Sequence, residues 1–571
     1  MNISSNKRAN FAGIAICGLV ISLLFHFAFS SRYSLDQYGE RHRQSIGNLT
    51  DYSNEGAYWY IGGMAALFTV YALGYRFIAR SSGTPGSSHQ RRRLALVIAG
   101  GIAFNLILLP MYPVDASDIY DYIIRGRMSA VYGLNPLKNA PDSIREDDFY
   151  LFSSWRHTPS AYGPAWESLA YGTSTLVSDS SHNQQVIVYK LIAVAGYGLT
   201  ALFIGLTLRQ IAPRRLPIGM YLFMWNPLVV YMTAGTGHND ALMTACMAFA
   251  LCCLSHRWYV AATLGATVGA LLKFIPALLI PMIALVALRE LGRRRWLRYL
   301  LLSALLCGGL AVLLYAPYWH GWDTLRTSRR AEMYTGSVAT VARQWLMPYL
   351  DGETDLTTLA RYTPNTSAFL ANGTLLLLGL FYLSQLIVLW REHDPTTPLR
   401  SVSRIILFYL LVASLWFHAW YVVWLMALVA LLEDTPVRRL ALTFSYLVTW
   451  QAFLYNYLII QTRRDIWLPW LDLVPVAIYM GYAWGYVGWY QLNSWMRRLH
   501  VNPLDHAIGA QLRAAREDAG LSLSDLSDEL AIRYDYLVQY EQGTRSLRLD
   551  DGRKLAQRLN VSLVDWLGVK A

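Results

Sequence analysis

The sequence predicts an all-α protein: a polytopic transmembrane helical bundle of about fourteen helices, followed by a small soluble helical domain. Three observations carry this. Of 571 residues, 54% are hydrophobic and 15% charged, with a mean hydropathy of +0.28; soluble domains carry about 25% charged residues. Apolar stretches approaching the ~20 residues that cross a bilayer recur along the first 490 residues. From about residue 506 the chain becomes charged and periodic.

The elements follow in order. Lys7-Arg8 precedes an apolar stretch over 10–30 that resembles a signal peptide, but it shows no small-residue cleavage site and reads as a retained first helix. Fourteen stretches qualify as spans, some of them short: about 11–29, 57–79, 94–113, 184–208, 216–232, 240–256, 258–272, 274–288, 299–316, 368–390, 403–417, 420–433, 437–459 and 471–490. With the N-terminus in the cytoplasm, the basic loops at Arg91–Arg93, Arg214–Arg215, His256–Arg257, Arg289–Arg298, Arg391–Arg400, Arg438–Arg439 and Arg497–Arg498 all fall on one side, as topology determinants do. This distribution accounts for the net charge of +12 without nucleic acid. Three long loops, about 30–56, 114–183 and 317–367, fall on the other side. An even helix count returns the C-terminus to the cytoplasm. The division is thus 1–490 for the membrane domain, 491–505 for a linker broken at Asn502-Pro503, and 506–571 for the soluble domain. The five cysteines lie inside apolar segments without metal-ligand spacing and read as packing residues.

Polar residues concentrate in the loops opposite the basic ones. Asp115, Asp118 and Asp121 lie within seven residues after the third helix. Asp118, Tyr122 and Arg125 have i, i+4, i+7 spacing, so one helical face can carry all three. A base beside a cation and a solvated, capped helix start are both compatible with that spacing. Tyr162-Gly163-Pro164 reads as an aromatic turn. Trp225-Asn226-Pro227-Leu228 leads to Gly237-His238-Asn239-Asp240, where Asp240 could simply cap the next helix. Lys273 lies between two apolar runs, where an ionisable residue is a functional hypothesis by default and interfacial snorkelling is the alternative. Trp420, Tyr421 and Trp424 follow His418 at another turn, where belt aromatics are common.

Taken together, Asp118-Ile-Tyr120 with Gly126 and Gly133-Leu-Asn135-Pro136, Tyr162-Gly163-Pro164, the Asn226-Pro227-Leu228 and Gly237-His238-Asn239-Asp240 pairing, Lys273 with Pro276, and Trp420-Tyr421-Val-Val-Trp424 resemble the polyprenol-phosphate-mannose-dependent mannosyltransferases of bacterial cell envelopes. These belong to the GT-C superfamily of membrane glycosyltransferases, and the resemblance spans about residues 94–490. It implies a GT-C-like bundle in the bacterial plasma membrane, with both termini cytoplasmic and an extracytoplasmic pocket. The donor would be a polyprenyl-phosphate-linked sugar, mannose first, transferred with inversion to a glycan or glycolipid acceptor. Asp118 or Asp115 would be the base. Lys273 with Arg125 would hold the donor phosphate. Tyr122, Tyr162, His238, Asn239, Asp240, Trp420, Tyr421 and Trp424 would line the sugar, acceptor or lipid cleft. No cofactor or metal ligand set is expected, although the His238-Asn239-Asp240 trio could touch a divalent cation.

Residues 506–571 read as five short helices similar to an Xre-type helix-turn-helix. The recognition-helix position carries Tyr534, Asp535, Tyr536, Gln539 and Tyr540, and the domain has nine basic against ten acidic residues. DNA affinity rests on phosphate contacts, so a cytoplasmic protein partner is preferred to DNA; the aromatic helix resembles that of membrane-anchored bacterial shape proteins which dock on cytoskeletal filaments. Two other readings remain open: an envelope-lipid transporter or flippase, which would need polar residues at mid-membrane, and a membrane-tethered transcription regulator, which would need a basic recognition helix.

Overall fold

A computed structural model of the chain describes residues 3–41, 45–80, 85–114, 117–325, 334–352, 364–454, 470–499 and 502–562. Among these, regular secondary structure is helical, with two isolated bridges, Ser34 to Met111 and Thr335 to Trp416. The first half comprises α1 (Ile3–Phe25), α2 (Asn54–Ala79), α3 (Ser88–Leu108), α4 (Asp118–Ala130), α5 (Pro164–Val177), α6 (His182–Ile211), α7 (Leu216–Met224), α8 (Asp240–Ser255), α9 (Tyr259–Leu272) and α10 (Leu279–Leu291). There follow α11 (Arg293–Tyr315), α12 (Val338–Leu350), α13 (Pro364–Arg391), α14 (Thr397–Phe408), α15 (Val422–Val429), α16 (Pro436–Leu447) and α17 (Trp470–Leu499). The last four helices, α18 (Pro503–Asp518), α19 (Leu523–Leu530), α20 (Tyr534–Glu541) and α21 (Leu549–Leu559), form the small domain.

Five described stretches are long and apolar enough to cross a membrane: Ala9–Ser30, Asn54–Ala79, His182–Ile211, Arg293–Tyr318 and Pro364–Arg391. This is fewer than the fourteen apolar stretches suggest, and the reason is local. The stretch over 216–232 breaks at Trp225-Asn226-Pro227: Asn226 Oδ1 accepts from the Val229 amide at 3.3 Å, and the chain restarts as Pro227–Val230 followed by a wide turn over Tyr231–Gly235. The stretches over 403–417 and 420–433 are interrupted between Ser414 and His418. Broken helices survive at membrane depth only where protein surrounds them, and that condition is met. Trp225 is fully buried and donates to the Val97 carbonyl at 2.8 Å, while Asn226 donates to Ser445 Oγ at 3.0 Å. By contrast, α11 and α13 leave Leu301, Leu305, Leu375 and Leu380 exposed, as lipid-facing helices do.

The bundle has two functional ends. The broken segment rises from Arg215 at one end to Gly235–His238 at the other, and the chain from Tyr421 to Glu433 descends in the opposite sense. The small domain sits at the Arg215 and Glu433 end, packed around Leu512, Leu526, Leu537 and Leu555. Helix α17 runs on to Leu499, so most of the stretch read as a linker is helical, and Asn502 caps α18.

The basic loops of the bundle meet the acidic side of the small domain. Arg215 pairs with Asp528 at 2.8 Å and with Glu433 at 3.1 Å. Arg214 pairs with Glu529 at 2.8 Å and Arg439 with Asp535 at 3.2 Å, and Arg400 lies 4.4 Å over the Tyr534 ring. The first residues of the recognition helix α20 therefore face the chain's own bundle.

Candidate active site

The site is assembled from five elements that sequence separates widely. Helix α4 begins at Asp118. The turn before α5 carries Tyr162. The start of α8 carries Asp240, and α9 ends at Lys273, whose backbone is extended. Helix α15 and the short turn over Ala419–Tyr421 bring in the aromatic group.

At the centre is a buried ion pair. Lys273 Nζ lies 2.9 Å from both carboxylate oxygens of Asp240, with side-chain exposures of 10% and 1%. Trp424 Nε1 donates to the same carboxylate at 2.7 Å. The ammonium also faces three rings: Tyr421 at 4.8 Å, Trp424 at 5.6 Å and Tyr162 at 5.7 Å. A cation held among ring faces is stabilised by their quadrupoles, and a buried charge requires such partners. Asp240 is thus a partner of Lys273 rather than a helix cap.

Tyr162 links this pair to Asp118. Its hydroxyl donates to Asp118 Oδ2 at 3.4 Å and lies 3.5 Å from the Tyr122 hydroxyl, and its ring packs edge-on to Tyr122 at 5.2 Å. Gly163 sets this approach. Its amide donates to the Leu272 carbonyl at 3.0 Å, and a Cβ there would lie 2.0 Å from the Leu271 oxygen. Gly163→Ala is therefore expected to destabilise the protein by roughly 1–3 kcal/mol, as overpacking does, and to displace Tyr162; thermal unfolding of detergent-solubilised protein measures the first effect.

A second aromatic stack flanks the pair. Trp420 lies between His238 and His418, with ring centroids 4.1 Å away on each side. His238 Nδ1 is 2.8 Å from Thr236 Oγ1. Burial, and then the Lys273 charge, push the His238 imidazole down to about 3, so it is neutral near pH 7. Its Nε2 and Asn239 Oδ1 are buried without a partner, and such atoms in a native fold call for a ligand or water. Gly237, with φ +76°, makes the turn that presents them. Asp240 is taken up by Lys273 and Trp424, and among the described residues no three His, Cys, Asp or Glu side chains converge as a metal site.

Other expected residues fall elsewhere. Asp115 lies outside the described residues. Arg125 is on α4 but turns away from Lys273: it is 3% exposed and donates to the carbonyls of Thr158 and Trp155 at 3.2 and 3.3 Å. Its charge faces Asp121 and Glu167, so it anchors the loop over 153–160. Glu167 and Asp121 are also loop anchors. Ser160 donates to Glu167, and Ser153 and the Trp155 amide donate to Asp121.

Burial outweighs Arg125 and raises the Glu167 carboxyl from 4.5 to about 7. The unfolded chain releases this proton first as pH rises, so the stabilisation is complete below pH 4.5 and lost by about pH 7; its full size is on the order of 3 kcal/mol. Glu167→Gln should remove that slope from melting temperatures recorded between these limits.

Two functional supports escaped the sequence reading. Glu167 had no motif to mark it. Lys190 did carry a signal, an ionisable residue inside the apolar stretch of α6. It is fully buried and donates to the carbonyls of Leu109, at 3.2 Å, and Met111, fixing the chain that leads into α4.

Residues 17–289 match the model of the MptA_B family, described as "Alpha-(1->6)-mannopyranosyltransferase, N-terminal domain". Residues 512–566 match a helix-turn-helix family model. The chain is thus similar to that mannosyltransferase family over just under half of its length and to a helix-turn-helix family near its C-terminal end. Curated relatives include a probable alpha-(1->6)-mannopyranosyltransferase of Mycolicibacterium smegmatis, 31% identical over 25% of this chain and 25% of the relative. The alpha-(1->6)-mannopyranosyltransferase A proteins of Mycobacterium tuberculosis and Corynebacterium glutamicum are 27% and 24% identical over 34% and 31% of this chain, and over 37% and 36% of their own lengths. The matched segments therefore span a quarter to just over a third of these relatives.

Proposed function

We propose that this chain is an integral membrane glycosyltransferase that moves a sugar, in the first instance mannose, from a polyprenyl-phosphate donor to a glycan or glycolipid acceptor with inversion. The observation that carries the reading is the Lys273–Asp240 pair, ringed by Tyr162, Tyr421 and Trp424 and connected through Tyr162 to Asp118. In the reaction an acceptor oxygen forms a bond to the anomeric carbon as the bond from that carbon to the phosphate oxygen breaks. Asp118 takes the acceptor proton. Lys273 stabilises the negative charge gathering on the departing phosphate, and Asp240 with Trp424 holds the ammonium in place. His238 Nε2 and Asn239 Oδ1 meet sugar hydroxyls, and Trp420, Tyr421, Tyr122 and Tyr162 give the apolar faces that sugars and isoprenyl chains pack against.

In this reading the chain lies in the bacterial plasma membrane, with both termini cytoplasmic and the site outside. The helix-turn-helix domain acts through protein contact and not DNA, which agrees with Tyr534 and Asp535 being engaged by Arg400 and Arg439. The test is transfer of radiolabelled sugar from polyprenyl-phosphate-mannose to a crude envelope acceptor by the purified full chain, with and without added divalent cations. No labelled product under any of these conditions would refute the transferase reading.

A further inference from the structure

Where the small domain meets the bundle lies a cavity of 760 Å³, walled by α13, α14, α16 and α17 and closed below by α20. Its upper wall is apolar, including Leu411, Leu440 and Trp484, and Trp484 is also exposed toward lipid. Its lower part is polar, with Gln385, Arg404, Gln491 and Gln539.

Arg400 is paired with Asp394 at 2.9 Å and with Glu433 at 3.2 Å. The carboxylate of the wall, Asp535, is held by Arg439 at 3.2 Å and Arg533 at 2.8 Å. Arg404 is half-buried on the wall; Glu392 and Glu433 act on its charge from farther off, but among the described residues no carboxylate pairs with it within 4.0 Å. Beside it, Gln385 is 7% exposed, and its Oε1 is buried without a hydrogen-bond partner. A half-buried guanidinium at the edge of an apolar bundle needs an anion, and basic pockets between membrane helices hold anionic headgroups. The cavity thus offers a cation for a phosphate, an acceptor for a headgroup hydroxyl and an apolar wall for the first carbons of the acyl chains.

We propose that this cleft binds one anionic phospholipid with a hydroxyl-bearing headgroup, such as phosphatidylglycerol, from the leaflet on the helix-turn-helix side. Arg404 holds the phosphate and Gln385 accepts from the headgroup. Because α20 forms the floor through Tyr534 and Gln539, the lipid also bridges the bundle and the small domain. This site lies at the end of the bundle opposite Lys273 and does not depend on the reaction proposed above.

The test is native mass spectrometry of the full chain in detergent, after exchange with phosphatidylglycerol or phosphatidylcholine of equal chain length. The wild type should retain phosphatidylglycerol in preference to phosphatidylcholine, and Arg404→Gln should lower that retention about fivefold, the equivalent of the ~1 kcal/mol that one arginine contributes at an anionic surface. Arg404→Lys should keep most of it, Leu411→Trp should expel the lipid by filling the cleft, and Arg294→Gln, on an exposed turn of α11, should change nothing. If Arg404→Gln fails to fold, the Lys and Leu411→Trp variants decide. Equal retention of the two lipids, or retention untouched by Leu411→Trp, would overturn the proposal. Displacement of the lipid by millimolar inorganic phosphate alone would overturn it in favour of a free-phosphate site.

Discussion

Asp118→Asn is expected to lower sugar transfer about 10²–10⁴-fold, the range a positioned base contributes, while leaving the melting temperature unchanged. The three described carboxylates near the site have different surroundings. Asp121 is 1% exposed and held by Ser153 and the amides of Ser154 and Trp155. Asp240 is 1% exposed and bound by Lys273 and Trp424. Asp118 is only partly buried and opens α4. Tyr162 orients it from 3.4 Å. It alone of these three combines exposure to an acceptor with a link to Lys273 through Tyr162. Asn preserves shape and polarity, so a loss of rate with retained donor binding, read in single-turnover transfer, isolates the proton acceptor. Wild-type transfer by the variant would reject Asp118 as the base and direct the same substitution to Asp115.

The helical class with its apolar spans, the C-terminal helix-turn-helix and several of the residues that gather around the Lys273–Asp240 pair were legible in the sequence, and physical reasons govern what was not. Glycine, proline and Asn at 226–227 and 237–239 act locally, so the broken helix and its polar turn left a motif. The Lys273–Asp240–Trp424 contact joins residues 33 and 184 positions apart, and no spacing rule reaches that far. Helical spacing also grouped Arg125 with Asp118 and Tyr122. Asp118 and Tyr122 do converge on Tyr162, but Arg125, one turn later, meets the loop over 153–160, which only the tertiary fold brings underneath. The surplus of apolar stretches over continuous spans has a similar origin. Hydropathy records what lies in an apolar setting, whereas continuity depends on whether the fold can absorb a break, as it does where Asn226 Oδ1 accepts from the Val229 amide and Ser445 and Val97 accept from the Asn226 and Trp225 side chains. The docking of the small domain was not legible: its nine basic and ten acidic residues spoke only against DNA, and nothing local announces the pairing of Arg214 and Arg215 with Glu529 and Asp528.

Lys273 raises the problem that one residue can serve both fold and chemistry, and a double-mutant cycle separates them. Lys273→Met should leave the Asp240 carboxylate buried and uncompensated, and Asp240→Asn should do the same to the ammonium. Breaking a buried pair from either side costs about 3–5 kcal/mol, so both single variants should melt well below the wild type. The Asp240→Asn, Lys273→Met double variant removes both charges together, and replacing a buried pair with neutral groups of similar volume is near neutral. Its stability should return most of the way to that of the wild type, because Trp424 can still donate to the amide oxygen of the substituted side chain. Transfer should not return with it, since the departing phosphate would meet no cation among Tyr162, Tyr421 and Trp424. The reading thus rests on a divergence: recovered melting temperature with transfer still absent. A double variant that regains transfer would show that the leaving group draws its stabilisation from another residue. A Lys273→Met variant as stable as the wild type would show that the pair contributes no net stability, leaving its geometry to be explained by the reaction alone.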